Sequence, residues 1–215
     1  MQNWLAYFSN LAKAEDDEEV KIRTHLSIPE LNRDFESQEI RKAVFYNLKP
    51  HKAAGIDGIT NEILKWGLDW FLDIYKTIFN ELWKQKISPE YSWNEIFMIP
   101  IFKEGDLMDP SNYRGISLLS CLGKLYSTLL NNRLYNWAEK NQKISRWQGG
   151  FRKCKGCVQQ CFKLLTTLSF QNTKIHGYKN KALGRVFACF VDFRKAYDSI
   201  RHSLLWMKLA ALGVS

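Results

Sequence analysis

Apolar residues recur at three-and-four spacing through residues 68–83, at Leu68, Phe71, Leu72, Tyr75, Ile78, Phe79, Leu82 and Trp83. A helix brings such positions onto one face, so the spacing predicts an amphipathic helix whose apolar stripe is core. A shorter helix is expected upstream, with Ser37 as N-cap, Glu39 in the first turn, Ile40, Val44 and Leu48 on one face and Pro50 as the stop. Between the two, "HKAAGIDGIT" reads as a loop whose Gly55 and Gly58 permit turn geometry that other residues resist. The pattern then changes period. "EIFMIPIFK" alternates like a strand, with Pro100 pointing to an edge or a bulge, and "KEGDLMDPSNY" is turn chemistry throughout. "YRGISLL" is therefore predicted to return as the second strand of a long hairpin, with residues 103–113 projecting into solvent.

Ser120 can cap a further helix carrying Leu125, Leu129, Leu134 and Trp137, and a helical pattern resumes over 158–168. "VFACFV" is an unbroken apolar run and reads as a strand, residues 186–191, expected to pair in a small antiparallel sheet. "SLLWMKLAALG" follows as a helix with Gly213 at its C-cap. Helices and strands mix without strict alternation, which predicts an α+β fold, a small antiparallel sheet packed with helices.

Composition fits this reading. The 215 residues are 46% hydrophobic and 14% aromatic, enough for a substantial core. Lys and Arg number 31 against 22 Asp and Glu, a formal charge of +9, which favours an anionic partner. Nucleic acid fits better than a membrane surface, because no basic amphipathic helix dominates. Five cysteines, an odd number without framework spacing, argue for a reducing compartment. No apolar run is long enough to cross a membrane, and "MQNWLAYFSNLAKAEDDEEV" resembles neither a signal peptide nor a transit peptide. An intracellular location, cytoplasm and/or nucleus, is expected. The acidic run at 15–19 reads as a solvated linker, so residues 1–30 are set apart from the patterned region 31–215.

Candidate chemistry centres on "FVDFRKAYDSI". An apolar strand delivering Asp192, then a polar turn with an aromatic, suits a Mg²⁺-dependent phosphoryl-transfer site. The same Asp is also an ordinary turn cap. Cys154, Cys157 and Cys161 form C-x-x-C-x-x-x-C, but no fourth ligand follows nearby except His176. Cys161 fits the buried face of the helix over 158–168, and zinc is not expected.

Four stretches make the sequence recognisable: "HKAAGIDGITNEILK", "WNEIFMIPIFKEGDLMDPSNYRGISLLSCLGKLYSTLLNNRL", "QGGFRKC" and "FVDFRKAYDSIRHSLLWMKLAALGV". In this order they resemble successive blocks of the reverse transcriptase of non-LTR (LINE-type) retrotransposons. The resemblance covers residues 31–214, with 1–30 similar to the variable region ahead of the polymerase. It implies the fingers and the start of the palm of a right-hand polymerase. Asp192 matches the first catalytic and metal-binding Asp, and Tyr197 the aromatic that closes on the sugar 2′ position. Asp198 matches a supporting position that hydrogen-bonds to the turn. Lys103 and Arg114 match fingers positions that hold the nucleotide triphosphate. Gln148, Gly150, Phe151 and Arg152 match the "QxGFR" block near the template base and palm. Two departures stand out: Gly115 replaces the family's usual Pro after the Arg, and Ala54 the usual Pro of the "KAPG" loop.

The resemblance also implies partners: an RNA template, a DNA primer and deoxynucleoside triphosphates, with Mg²⁺ in a complete enzyme. The family's later Asp-Asp turn has no match here, since the pair in "EDDEEV" lies in the N-terminal charged run. The chain is accordingly expected to be a reverse transcriptase fragment, truncated before that block and inactive alone. The alternative is a non-catalytic basic adaptor or nucleic-acid-binding protein derived from such a fragment.

Overall fold

A computed structural model of the chain describes residues 2–12, 28–85, 93, 95–177, 187–193, 196–197 and 200–214. The acidic run at 15–19 and Asp198 lie outside the described residues. The architecture is α+β, helices together with, among the described residues, one two-stranded antiparallel sheet. The chain forms two compact units, Met1–Trp137 with Lys195–Ser215, and Ala138–Arg194.

The first unit opens with α1 (Gln2–Ala12) and the short α2 (Pro29–Asn32). Then comes α3 (Ser37–Asn47), one residue earlier than expected: Glu36, not Ser37, is the N-cap. The Glu36 side chain accepts from the Glu39 N–H, and the Glu36 N–H donates back to Glu39 Oε2 at 3.1 Å. Two donors that the helix leaves unpaired are thus satisfied reciprocally, which a lone Ser hydroxyl at 37 would not do. Ile40, Val44 and Leu48 are buried as their spacing predicts. The loop that follows runs against the later helix α6 (Cys121–Lys140), since a Cβ on Gly55 would lie 2.5 Å from the backbone nitrogen of Ser120. Helix α4 (Asn61–Trp66) is capped by Thr60 and stops at Gly67, where α5 (Leu68–Gln85) begins.

Helix α5 buries Leu68, Leu72, Tyr75 and Phe79 against α3 and α6, joining Ile40, Val44, Leu125 and Leu129 in one core. Its stripe is narrower than expected. Phe71 and Ile78 stay 42% and 37% exposed, because a turn of about 100° per residue puts them at the margin of the face. Ser120 caps α6 as predicted, accepting from the Gly123 N–H at 3.3 Å. Two polar side chains lock segment 31–36 onto this core. The Asn80 amide accepts from the Phe35 N–H at 2.6 Å and donates to the Phe35 carbonyl at 3.1 Å. Arg133, buried in α6, donates to the carbonyls of Leu31, Arg33 and Asp34 and to both Glu39 oxygens.

The hairpin pairs β1 (Phe97–Phe102) with β2 (Tyr113–Leu118), from Phe97 opposite Leu118 to Phe102 opposite Tyr113. Pro100 stands opposite Gly115, on a strand whose other edge is unpaired among the described residues and tolerates it. Residues 103–109 are exposed, as the turn chemistry predicts, whereas Pro110, Asn112 and Tyr113, expected to project with them, are half-buried. The last helix of this unit is α8 (His202–Ala211). Its C-cap is Leu212, and Gly213 follows at φ +86°. The Gly213 N–H reaches the Ala210 carbonyl and the Val214 N–H the Leu209 carbonyl, the paired closure that a left-handed glycine permits.

The second unit contains α7 (Cys157–Gly177), longer than the predicted pattern, and the stretch 187–193. Here the expected strand fails. Residues 187–193 have no regular structure and are exposed, while Val186 lies outside the described residues. An apolar run becomes a strand only where a neighbour takes its N–H and C=O groups. Among the described residues, β1 and β2 pair with each other alone. Cys161 also departs from expectation, because it is exposed on α7 rather than buried.

Candidate nucleotide site

The hairpin is the part of the proposed site with defined geometry. Arg114 stands directly opposite Ile101 across the strand pair. Side chains alternate along a strand, so Ile101 and Lys103 share the face to which Arg114 points. The hairpin hydrogen bonding continues past β1, the Lys103 N–H donating to the Asn112 carbonyl at 2.9 Å. Lys103 and Arg114 are therefore diagonal neighbours on one face, close enough for long side chains to act on one ligand. Both are exposed, and the Lys103 ammonium has a weak surface partner in Glu104 at 3.4 Å. Such a contact yields readily to a phosphate group.

The loop between β1 and β2 is shaped by its own polar groups. Asp109 accepts from the Ser111 N–H and hydroxyl at 2.8 and 2.7 Å, bonds that hold its carboxyl below the usual range. Gly105 takes φ +96°, and the Asn112 amide donates to the Asp106 carbonyl at 3.0 Å. The Tyr113 hydroxyl donates to the Leu107 carbonyl at 3.0 Å.

Other predicted residues fall elsewhere. Tyr197 belongs to the first unit, in a turn, and is 66% exposed. Asp192 belongs to the second unit, in the exposed stretch 187–193. Gln148, Gly150, Phe151 and Arg152 form one loop of that unit, built around Arg152. Its guanidinium meets Glu139 through two bonds of 2.8 and 2.7 Å and donates to the carbonyls of Ser145 and Gln148. The arginine of this block is thus an internal strut, half-hidden beneath the loop. Phe151 is displayed outward at φ +58°. Sequence reasoning missed Glu139, whose one signal is a carboxylate within a strongly basic stretch.

Among the described residues, no group of three or more His, Cys, Asp or Glu side chains could hold a metal ion. Cys154, Cys157 and Cys161 are all exposed free thiols. No described helix is long and apolar enough to cross a membrane.

Comparison with known proteins decides the family. The family model for reverse transcriptase (RNA-dependent DNA polymerase) matches residues 101–215, over half of the chain. The chain belongs to the reverse transcriptase family. It is 28% identical to the RNA-directed DNA polymerase from mobile element jockey of Drosophila funebris, over 95% of this chain and 22% of that protein. It is 29% identical to a probable RNA-directed DNA polymerase from transposon BS of Drosophila melanogaster, over 81% of this chain and 18% of the relative. A Pol polyprotein from the type-1 retrotransposable element R2 of Popillia japonica is 30% identical over 57% of this chain and 16% of its own length. The likeness to non-LTR retrotransposon polymerases drawn from the four blocks is borne out. This reverse transcriptase chain spans about a fifth of the length of these relatives. The family match opens within β1 and takes in Lys103, Arg114, the Gln148 to Arg152 loop and Asp192.

Proposed function

We propose that the chain is the fingers and first palm segment of the RNA-directed DNA polymerase of a LINE-type retrotransposon, with residues 31–215 as the polymerase part. The observation that carries this reading is the shared face of Lys103 and Arg114, within a hairpin that lies in the family match. The substrates are an RNA template, a DNA primer and deoxynucleoside triphosphates. Arg114 grips phosphate oxygens through its planar fork, and Lys103 adds a mobile point charge. Together they draw the triphosphate against the hairpin and hold its charge. Tyr197 sits against the sugar 2′ position, with Asp198 keeping its turn. The Gln148 to Arg152 loop lies beside the template base, with Arg152 as the strut that keeps Gln148 and Phe151 in place.

Asp192 is the first catalytic carboxylate in this reading, and Mg²⁺ is the metal of the complete polymerase. Mg²⁺ binds tightly only with several carboxylates or substrate phosphates. The described residues bring no such cluster, so they do not by themselves fit the metal. In this reading the 215-residue chain does not extend a primer by itself.

Charge reversal in a polymerase extended through the remainder of its domain tests the clamp. Lys103→Glu or Arg114→Glu should raise KM for deoxynucleoside triphosphates about ten- to a hundredfold, the scale of a lost charge-assisted contact. The affinity for primer-template should change far less. Unchanged KM in both variants would remove the clamp.

A further inference from the structure

A two-stranded hairpin standing alone is marginally stable in water and needs a helix or more strands against it. This hairpin has such a helix on the face opposite its cations. Tyr113 and Gly115 flank Arg114 in β2 and so point the other way, where α1 lies. The fit between the two elements is metric. One helical turn from Trp4 to Phe8 rises about 6 Å, and two strand residues from Tyr113 to Gly115 span about 6.7 Å. The Trp4 ring meets the Tyr113 ring edge-on, with centroids 4.5 Å apart. The Phe8 ring reaches over Gly115, where a Cβ would lie 3.1 Å from Phe8 Cε1 and 2.9 Å from Met98 Sδ. Phe102 completes the cluster, its ring 5.2 Å from that of Tyr113. On the far face, Phe97, Ile99, Ile101 and Ile116 remain 41–52% exposed.

Glycine within a strand weakens it, having no side chain to pack and more freedom to lose. An aromatic ring laid across such a glycine restores the missing contact. We propose that α1 is a brace for the hairpin, with Trp4 and Phe8 as positioning residues that fix Lys103 and Arg114 for the triphosphate. The assignment of the triphosphate rests on the clamp reading above. The route from helix to cations is short. Trp4 packs on Tyr113, whose hydroxyl holds the Leu107 carbonyl, and the neighbouring Asn112 carbonyl holds the Lys103 N–H. Gly115 is the residue that lets Phe8 approach, so the flexibility it introduces and the helix that removes it come from the same position.

Hydrogen exchange on the 215-residue chain, with thymidine triphosphate affinity measured beside it, tests the brace. Phe8→Ala and Trp4→Ala should each speed exchange of amides in 97–118 about tenfold, the scale of one lost aromatic contact. Amides of α3 and α5 should hold their rates, and triphosphate affinity should fall severalfold. Phe8→Leu, which keeps an apolar body over Gly115, should recover most of both. Lys103→Glu should lower the affinity without speeding exchange. Unchanged hairpin exchange in Phe8→Ala would overturn the brace, and so would a rise spread equally over α3 and α5. If Lys103→Glu leaves affinity untouched while Phe8→Ala still loosens the hairpin, the clamp falls and the brace stands.

Discussion

Arg133 shows how much of this fold depends on one side chain. It is 8% exposed, lies 4.0 Å from the Phe35 ring centroid, and holds three backbone carbonyls and a carboxylate that the chain delivers from 31–39. Removing it strips those carbonyls of their buried donor and leaves Glu39 with only the Arg33 guanidinium and the Glu36 N–H. Arg133→Ala is expected to destabilise the first unit by about 3–5 kcal/mol in urea melts. Arg133→Lys should recover little, since an ammonium cannot span the same fork. The pair also sets a pH dependence. Burial pushes the Glu39 carboxyl up, but the bonds from Arg133 and the Glu36 N–H, with the charges of Arg133 and Arg33, bring it below its ordinary 4.5. A carboxyl lowered in the folded state contributes stability that is fully present above the unfolded value and lost as pH falls through the folded one. Stability should therefore drop below about pH 4.5, and less steeply in Glu39→Gln, as pH-dependent urea melts would show. Nothing in the sequence marks this pair. Arg133 sits within an otherwise apolar face, between Leu129 and Trp137, and its partner lies 94 residues away.

Elements divide by how local their causes are. Helices α3, α5, α6 and α8 and the hairpin were legible because periodicity, caps and turn residues specify them within a few positions. The cap of α3 slipped by one, since the reciprocal pair of Glu36 and Glu39 outcompetes the hydroxyl of Ser37. The stretch 187–193 is the opposite case: apolar enough for a strand, but dependent on a distant neighbour for its hydrogen bonds. In the 215-residue chain its amides should exchange within seconds, while those of β1 and β2 persist. Protection of 187–191 equal to that of β1 would show that the strand forms here after all. The docking of α1 was likewise unreadable, because it depends on a match between a helical turn and a strand repeat far apart in sequence. Among the site residues, Lys103 and Arg114 were legible as a pair through the family resemblance, and the locally written turn of the hairpin then places them on one face. The strut between Arg152 and Glu139 was not.

At the scale of the whole molecule, charge and chemistry make separate demands. A formal charge of +9 favours an anionic partner; on the proposed function this is an RNA or primer-template, bound with little sequence preference and with affinity that falls steeply as salt rises. Filter binding over a salt series would show it, and salt-independent binding would remove the electrostatic argument. Catalysis asks for more than charge. Phosphoryl transfer is accelerated almost entirely by positioning and by electrostatic stabilisation at the reacting centre, so an incomplete centre loses most of the rate rather than a proportionate share. The described residues bring Asp192 on an exposed stretch without a cluster of carboxylates to hold a metal. On the function proposed above, the 215-residue chain is expected to bind nucleic acid without extending a primer. A primer-extension assay with Mg²⁺ or Mn²⁺ checks this, run beside a version extended through an Asp-Asp block, each with and without Asp192→Ala. Extension by the longer version alone, lost on Asp192→Ala, would support both the catalytic role of Asp192 and the need for further carboxylates. Extension by the 215-residue chain that disappears on the same substitution would keep the role and refute the need.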